Sequence, residues 1–153
     1  MSAAYMSQYF ENQVNTASPE QLLIMLYNGA IRFVGEAEEA MASRKIAYRG
    51  ERISKVIAIL SELSATLDHE IGGEIAANLE ALYDYMIRTL LAANIHDDAG
   101  KLVEVRELLS GLRDTWLDAI DKVRAEQAAE ASESVAKKFE AAPAGYRPLA
   151  VAL

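Results

Sequence analysis

The sequence predicts an all-α fold, an antiparallel up-and-down four-helix bundle with an N-terminal arm and a C-terminal tail. Three observations lead there. Apolar residues fill 52% of the 153 positions, which suits one core, while eight Gly, three Pro and 7% aromatic residues argue against a turn-dense β chain. Apolar side chains recur at steps of three and four over four long segments, the period of a helix that buries one side. Short connectors separate these segments, so consecutive helices run antiparallel and pack at crossing angles of about 20°.

The elements follow in order. Residues 1–17 carry Tyr5, Met6, Tyr9, Phe10 and Val14 without a sustained stripe, and form an arm. Ser18-Pro19-Glu20-Gln21 is a helix start: Ser18 caps, Pro19 takes the first helical position, and Gln21 closes a capping box. Helix 1 then runs to about residue 42 on Leu23, Leu26, Ala30, Phe33, Ala37 and Met41, with a second stripe of Ile24, Tyr27, Ile31 and Val34. Helix 2, about 45–67, has a seam of Ile46, Ile53, Leu60 and Leu67 filled in by Val56, Ile57 and Leu63. The stretch 68–73 ends in Gly72-Gly73, which favours a reversal. Helix 3, about 74–94, is striped by Ile75, Leu79, Leu82, Met86, Leu90 and Ala93, with Tyr83 beside the seam. Helix 4 starts near Asp98 and carries Leu102, Val105, Leu109, Leu112, Trp116, Ile120 and Val123 to about residue 127. The organisation is therefore an arm at 1–17, a bundle at 18–127, and a helical extension with a flexible tail at 128–153.

Charge and composition exclude several classes of function. Fifteen basic against 23 acidic residues give a net charge of -8, which repels phosphate, so neither nucleic acid nor an anionic lipid surface is a partner. The absence of Cys removes disulfides, thiolate metal sites and cysteine nucleophiles together. No secretory leader and no apolar run long enough for membrane insertion occur, which points to the cytoplasm. His69 and His96 are the only imidazoles, both in predicted connectors, and Thr66 and Ala93 stand where a di-metal bundle would need Glu three residues earlier. Phosphate loops, nucleophile elbows and zincin pairs are missing too. No catalytic residue, cofactor or metal site is predicted, and Glu36, Glu38, Glu39, Glu62, Glu80 and Asp84 read as a solvated face.

The informative feature is apolar surface that the seams leave over. At 100° per residue Tyr48, Ile59 and Thr66 align beside the seam of helix 2, Tyr85 flanks that of helix 3 on one side and Ile87, Leu91 and Ile95 on the other, and Val103, Leu108 and Leu117 are displaced on helix 4. Single exposed apolar residues are ordinary, but several on adjacent helices make a groove for an amphipathic helix or an unfolded segment. Ordering about twenty residues of such a ligand costs roughly 20 to 40 kcal/mol of backbone entropy. Offsetting that by burial at about 25 cal/mol per Å² takes on the order of 800 to 1,600 Å², so the surface must be long. The candidate partner-binding residues are Tyr5, Tyr9, Phe10 and Val14 in the arm, as a lid, with Tyr48, Ile59, Tyr85, Leu91 and Leu108 on the shoulders.

Tyr9 followed by the run from Val14-Asn15-Thr16-Ala17 through Ser18-Pro19-Glu20-Gln21 to Leu26-Tyr27-Asn28-Gly29-Ala30-Ile31 closely resembles the opening of the FliS family of flagellar secretion chaperones. Leu67-Asp68, Gly72-Gly73-Glu74-Ile75-Ala76, Leu82-Tyr83-Asp84-Tyr85-Met86, Ala93-Asn94 and Leu112-Arg113-Asp114-Thr115-Trp116 continue the likeness in the family's order, over about residues 5–125. The resemblance implies a cytosolic four-helix chaperone that binds the disordered C-terminal segment of flagellin, prevents premature polymerisation and assists delivery to a component of the flagellar export gate. It also implies a ligand wrapped around the bundle, and an arm, here Tyr5, Tyr9 and Phe10, that covers apolar surface when flagellin is absent. Asn28 stands where the family commonly has Asp, and residues 46–54 match less closely. The other reading is a helical homodimerisation or adaptor module without a flagellin client; the chaperone reading expects a monomer or weak dimer.

Overall fold

Side-chain caps mark the starts of three of the helices. A computed structural model describes residues 16–140, together with Ala4 and Gln8. Among these residues the chain is all-α, with four helices: α1 (Pro19–Ala42), α2 (Ile46–Ala65), α3 (His69–His96) and α4 (Ala99–Glu140). The capping box forms as the sequence predicts, Gln21 N–H donating to Ser18 Oγ at 3.2 Å and Ser18 N–H to Gln21 Oε1 at 3.0 Å. At the other end of α1, Arg44 takes the left-handed conformation at φ 57°, and Lys45 N–H and Arg44 N–H reach Ala40 O at 2.8 Å and Met41 O at 3.2 Å. Asp68 Oδ1 accepts from the N–H groups of Glu70 and Ile71, each at 3.0 Å, and Asp98 Oδ1 from Lys101 N–H at 3.3 Å.

Cross-links between helices give the alternating directions. Arg52 meets Glu36 at 3.0 Å between α2 and α1, and Arg49 meets Asn94 at 3.0 Å between α2 and α3. Arg106 meets Glu38 at 2.9 Å and Arg113 meets Asn28 at 3.1 Å between α4 and α1. The pairs set late positions of one helix against early positions of the other, as Glu36 against Arg52, Asn94 against Arg49 and Glu38 against Arg106, which is the up-and-down order. The core between them holds Tyr27 and Val34 of α1, Ile53 and Leu60 of α2, Met86 and Leu90 of α3, and Leu102 and Leu109 of α4.

Some seam assignments do not survive. Ile46 opens α2 and is 66% exposed, because it precedes the layer in which Arg49 closes the core. Ile75 is 70% exposed, because it lies past the point where α2 ends, and Val123 is exposed as well. Tyr27 and Val34, expected in the secondary stripe of α1, are fully buried and join Ala30, Ala37 and Met41 in one buried stripe, leaving Leu26, Phe33, Ile24 and Ile31 half-buried on its flanks. His69 and His96 are exposed as predicted, but they are the first and last residues of α3 rather than connector residues. The reversal at the double glycine is also finer than a loop. Residues 69–72 form one helical turn, and the break falls at Gly73 with φ 49° and ψ -123°. A Cβ on Gly72 would stand 2.8 Å from Ala76 Cβ, so the two glycines have separate reasons, close approach for the first and backbone freedom for the second.

The chain divides after Trp116 into two compact units. α4 continues through the second to Glu140, and residues 121–140 are exposed throughout.

One buried cation ties the end of the first unit together. Arg49 is 7% exposed and donates to Asn94 Oδ1 at 3.0 Å, Asn94 O at 3.1 Å and Asp97 Oδ1 at 2.6 Å. It thereby satisfies a carbonyl that the end of α3 leaves without a helical partner, and places positive charge at the negative end of that helix. Replacing Arg49 by Met removes these charged hydrogen bonds, and a loss of about 2 kcal/mol is expected, seen as a fall in Tm of about 4–8 °C by thermal circular dichroism. Gly73→Ala forces a side chain into a conformation that glycine alone tolerates, and a loss of about 1–3 kcal/mol in urea unfolding is expected.

Candidate functional site

Where α2 stops at Ala65, the core loses a wall. Leu67, Ile71, Ile75 and Leu79 are spaced by four and carry one apolar line across the break at Gly73. Leu23 of α1, Leu63 of α2, Tyr83 of α3 and Trp116 of α4 complete an apolar groove of about 280 Å³ at this end of the bundle, with Asp68 at its edge. Ile71 is 88% exposed on its lip. A large β-branched side chain is thus left in water beside other exposed apolar surface.

Beneath the groove lies a polar chain. Trp116 Nε1–H donates to Tyr27 Oη at 3.2 Å, and Tyr27 Oη lies 2.6 Å from Tyr83 Oη, which bridges α4, α1 and α3 through the core. Both phenols are buried, and burial, by disfavouring the charged phenolate, pushes each pKa above the ordinary 10.0. A second, more open groove of about 680 Å³ runs between α2 and α3 over Ser61, Ser64, Ala65, Ala77 and Ala81, with Glu80, Asp84 and Ile87 at its sides. Small side chains there leave room for another backbone to approach.

The shoulder residues fall on two different faces. Tyr48 lies under the Arg52 guanidinium at 4.9 Å, and the same guanidinium covers Phe33 at 5.2 Å, a cation–π stack on the α1–α2 side. Half-buried Ile59 is on that side too, 3.7 Å from where Gly29 would carry a Cβ. Tyr85 instead donates to Glu104 across α3 and α4, and that bond raises its pKa. Leu91 is exposed on α3, and Leu108 is half-buried against the core. Tyr5, Tyr9, Phe10 and Val14 lie outside the described residues. The sequence pattern places Leu67, Ile75 and Leu79 on seams and Ile71 in a turn, so it does not reveal the end groove that the four residues line together. The signal available was their unbroken spacing of four across Gly72-Gly73.

Among the described residues no cluster of three His, Asp or Glu could hold a metal ion, and no helix is long and apolar enough to cross a membrane. The family model described as flagellar protein FliS matches residues 1–123. The chain belongs to the FliS family. Among its FliS relatives, the flagellar secretion chaperone FliS of Bacillus subtilis is 40% identical over 116 residues, covering 76% of this chain and 86% of the relative. The protein of the same name from Salmonella typhimurium is 45% identical over 114 residues, covering 74% and 84%. A solved structure titled as a flagellar chaperone from bacteria shares the fold, with a TM-score of 0.64 at 21% identity over 78% of this chain and 97% of the other. The FliS match stops short of most of the exposed part of α4.

The two buried phenols give this FliS protein an alkaline limit. Their folded pKa values lie above the unfolded value of 10.0, so the folded state holds protons that the unfolded state releases. Their contribution is complete below about pH 10 and is lost as the pH rises further. In a spectrophotometric titration, Tyr27 and Tyr83 are expected to ionise only together with unfolding followed by circular dichroism.

Proposed function

We propose that the chain is a cytosolic export chaperone that binds the disordered C-terminal segment of flagellin, keeps it from polymerising prematurely, and helps deliver it to a component of the flagellar export gate. The observation that carries this reading is the apolar groove at the α2–α3 end, with Ile71 and Ile75 exposed on its rim. The names of the relatives, flagellar secretion chaperones, support the same role. The chemistry is binding alone: the groove offers apolar contact, and a long client continues onto the small-residue surface of α2 and α3 and onto Tyr48, Ile59, Tyr85, Leu91 and Leu108. Residues 1–17 act as an arm, in which Tyr5, Tyr9, Phe10 and Val14 compete with the client. Residues 18–127 act as the binding body, and residues 128–153 as an extension and tail outside it.

Calorimetric titration of the full chain with a peptide of the C-terminal segment of flagellin tests the reading. A one-to-one complex with a dissociation constant at or below about 1 μM is expected. A tight dimer that ignores the peptide in light scattering would replace the chaperone with a homodimerisation module. Removing residues 1–14 is expected to tighten the complex, and an unchanged constant would dispose of the competing arm.

A further inference from the structure

The polar chain under the groove has one hydrogen more than it has places to put it. Trp116 Nε1–H, Tyr27 O–H and Tyr83 O–H are three donors, and the indole N–H cannot accept. Two bonds join them, so one hydroxyl hydrogen is left without an acceptor. If Tyr83 donated to Tyr27, the unused hydrogen would sit on Tyr27, which is 0% exposed, and would carry the full penalty of a buried unpaired donor. If Tyr27 donates to Tyr83, the bonds run one way, Trp116 to Tyr27 to Tyr83, each strengthening the next. The unused hydrogen then belongs to Tyr83, which is 2% exposed and lines the groove.

We infer that the groove is an acceptor-reading subsite, in which the Tyr83 hydroxyl donates to a main-chain carbonyl of an apolar client segment, at a place where that carbonyl is not already bonded within a helix. The inference rests on the reading that a client polypeptide occupies this groove. Apart from Tyr83 itself, the two lining side chains that carry oxygen, Thr66 and Asp68, are engaged in capping, Thr66 Oγ1 donating to Leu63 O and Asp68 Oδ1 accepting from Glu70 and Ile71, and among the described residues neither bonds Tyr83, so the partner comes from outside. A neutral carbonyl suits the site better than a carboxylate, because Asp68 stands at its edge and the chain carries a net charge of -8. Apolar contact holds the segment, and this single donor sets its register, since a shift of one residue moves the carbonyl away.

The test uses the full chain and the flagellin C-terminal peptide, with backbone amide-to-ester replacements placed one at a time to weaken single carbonyls. Tyr83→Phe is expected to bind the unaltered peptide about 3- to 10-fold more weakly, the range for one hydrogen bond. One ester position is expected to lose a similar factor against the wild type and nothing further against Tyr83→Phe. A merely structural role for the hydroxyl would lower affinity for every peptide alike, without that coupling. Equal binding by Tyr83→Phe and wild type, or coupling at no position, would overturn the inference and leave the chaperone reading standing. Should Tyr83→Phe fail to fold, the ester series against the wild type decides, a single sensitive carbonyl supporting the inference and a flat profile overturning it. If the wild type binds no peptide at all, the functional reading fails and this inference with it.

Discussion

Four helices can share a core only over the length that all four span. α2, with 20 residues, is the shortest, and it sets that length. At about 1.5 Å per residue it reaches about 30 Å, and beyond its end the stripes of the other helices have nothing to bury against. The core closes on Ile53, Val56, Leu60 and Leu63, and past Ala65 the same apolar spacing continues on Leu67, Ile71 and Ile75 without a fourth wall. The groove is thus a consequence of unequal helix lengths. Its lining is core-like because it is the continuation of the core.

The two ends of the bundle are finished differently. At the end where α2 begins, Arg49 reaches into the terminus of α3, and Asp97 in its left-handed conformation completes the contact. That end is sealed by charge and hydrogen bonds. At the other end Trp116, Tyr27 and Tyr83 tie three helices beneath an apolar surface that is left open. Under the proposed function, a surface already tied together in this way leaves the ordering cost of binding to the guest.

Local chemistry was legible in the sequence, and the limits of packing were not. Ser18 and Gln21 are neighbours in the chain, so a cap between them can be read from spacing, and the core residues Ala30, Ala37, Met86, Leu90 and Leu109 repeat at the period of a helix that buries one side. Ile75 has the same period and is exposed. Periodicity reports which side of a helix is apolar, and it is silent about where the neighbouring helix ends. Arg49, Asn94 and Asp97 were missed for a related reason: they lie 45 to 48 positions apart and meet only once α2 and α3 are antiparallel and in register. Angle about a single helix identifies the shoulder residues but cannot tell the α1–α2 side of the bundle from the α3–α4 side, and Tyr48 and Tyr85 accordingly separate.

The glycine junction divides α3 into a leaf of one turn and a long rod. The leaf, His69 to Gly72, hangs on Asp68: its side chain accepts from Glu70 and Ile71, and its carbonyl accepts Gly72 N–H at 2.8 Å. The rod has its own anchors in Tyr83, Met86 and Leu90. An exposed pair, His69 and Glu80 at 2.7 Å, links leaf to rod across the surface. Lifting the leaf therefore breaks one turn and one solvated pair and leaves the rod's packing whole, an opening of low local stability beside a region of high stability. The ease of that opening is set at the glycine junction, where Gly72 lines the groove and Gly73 carries the break in the backbone.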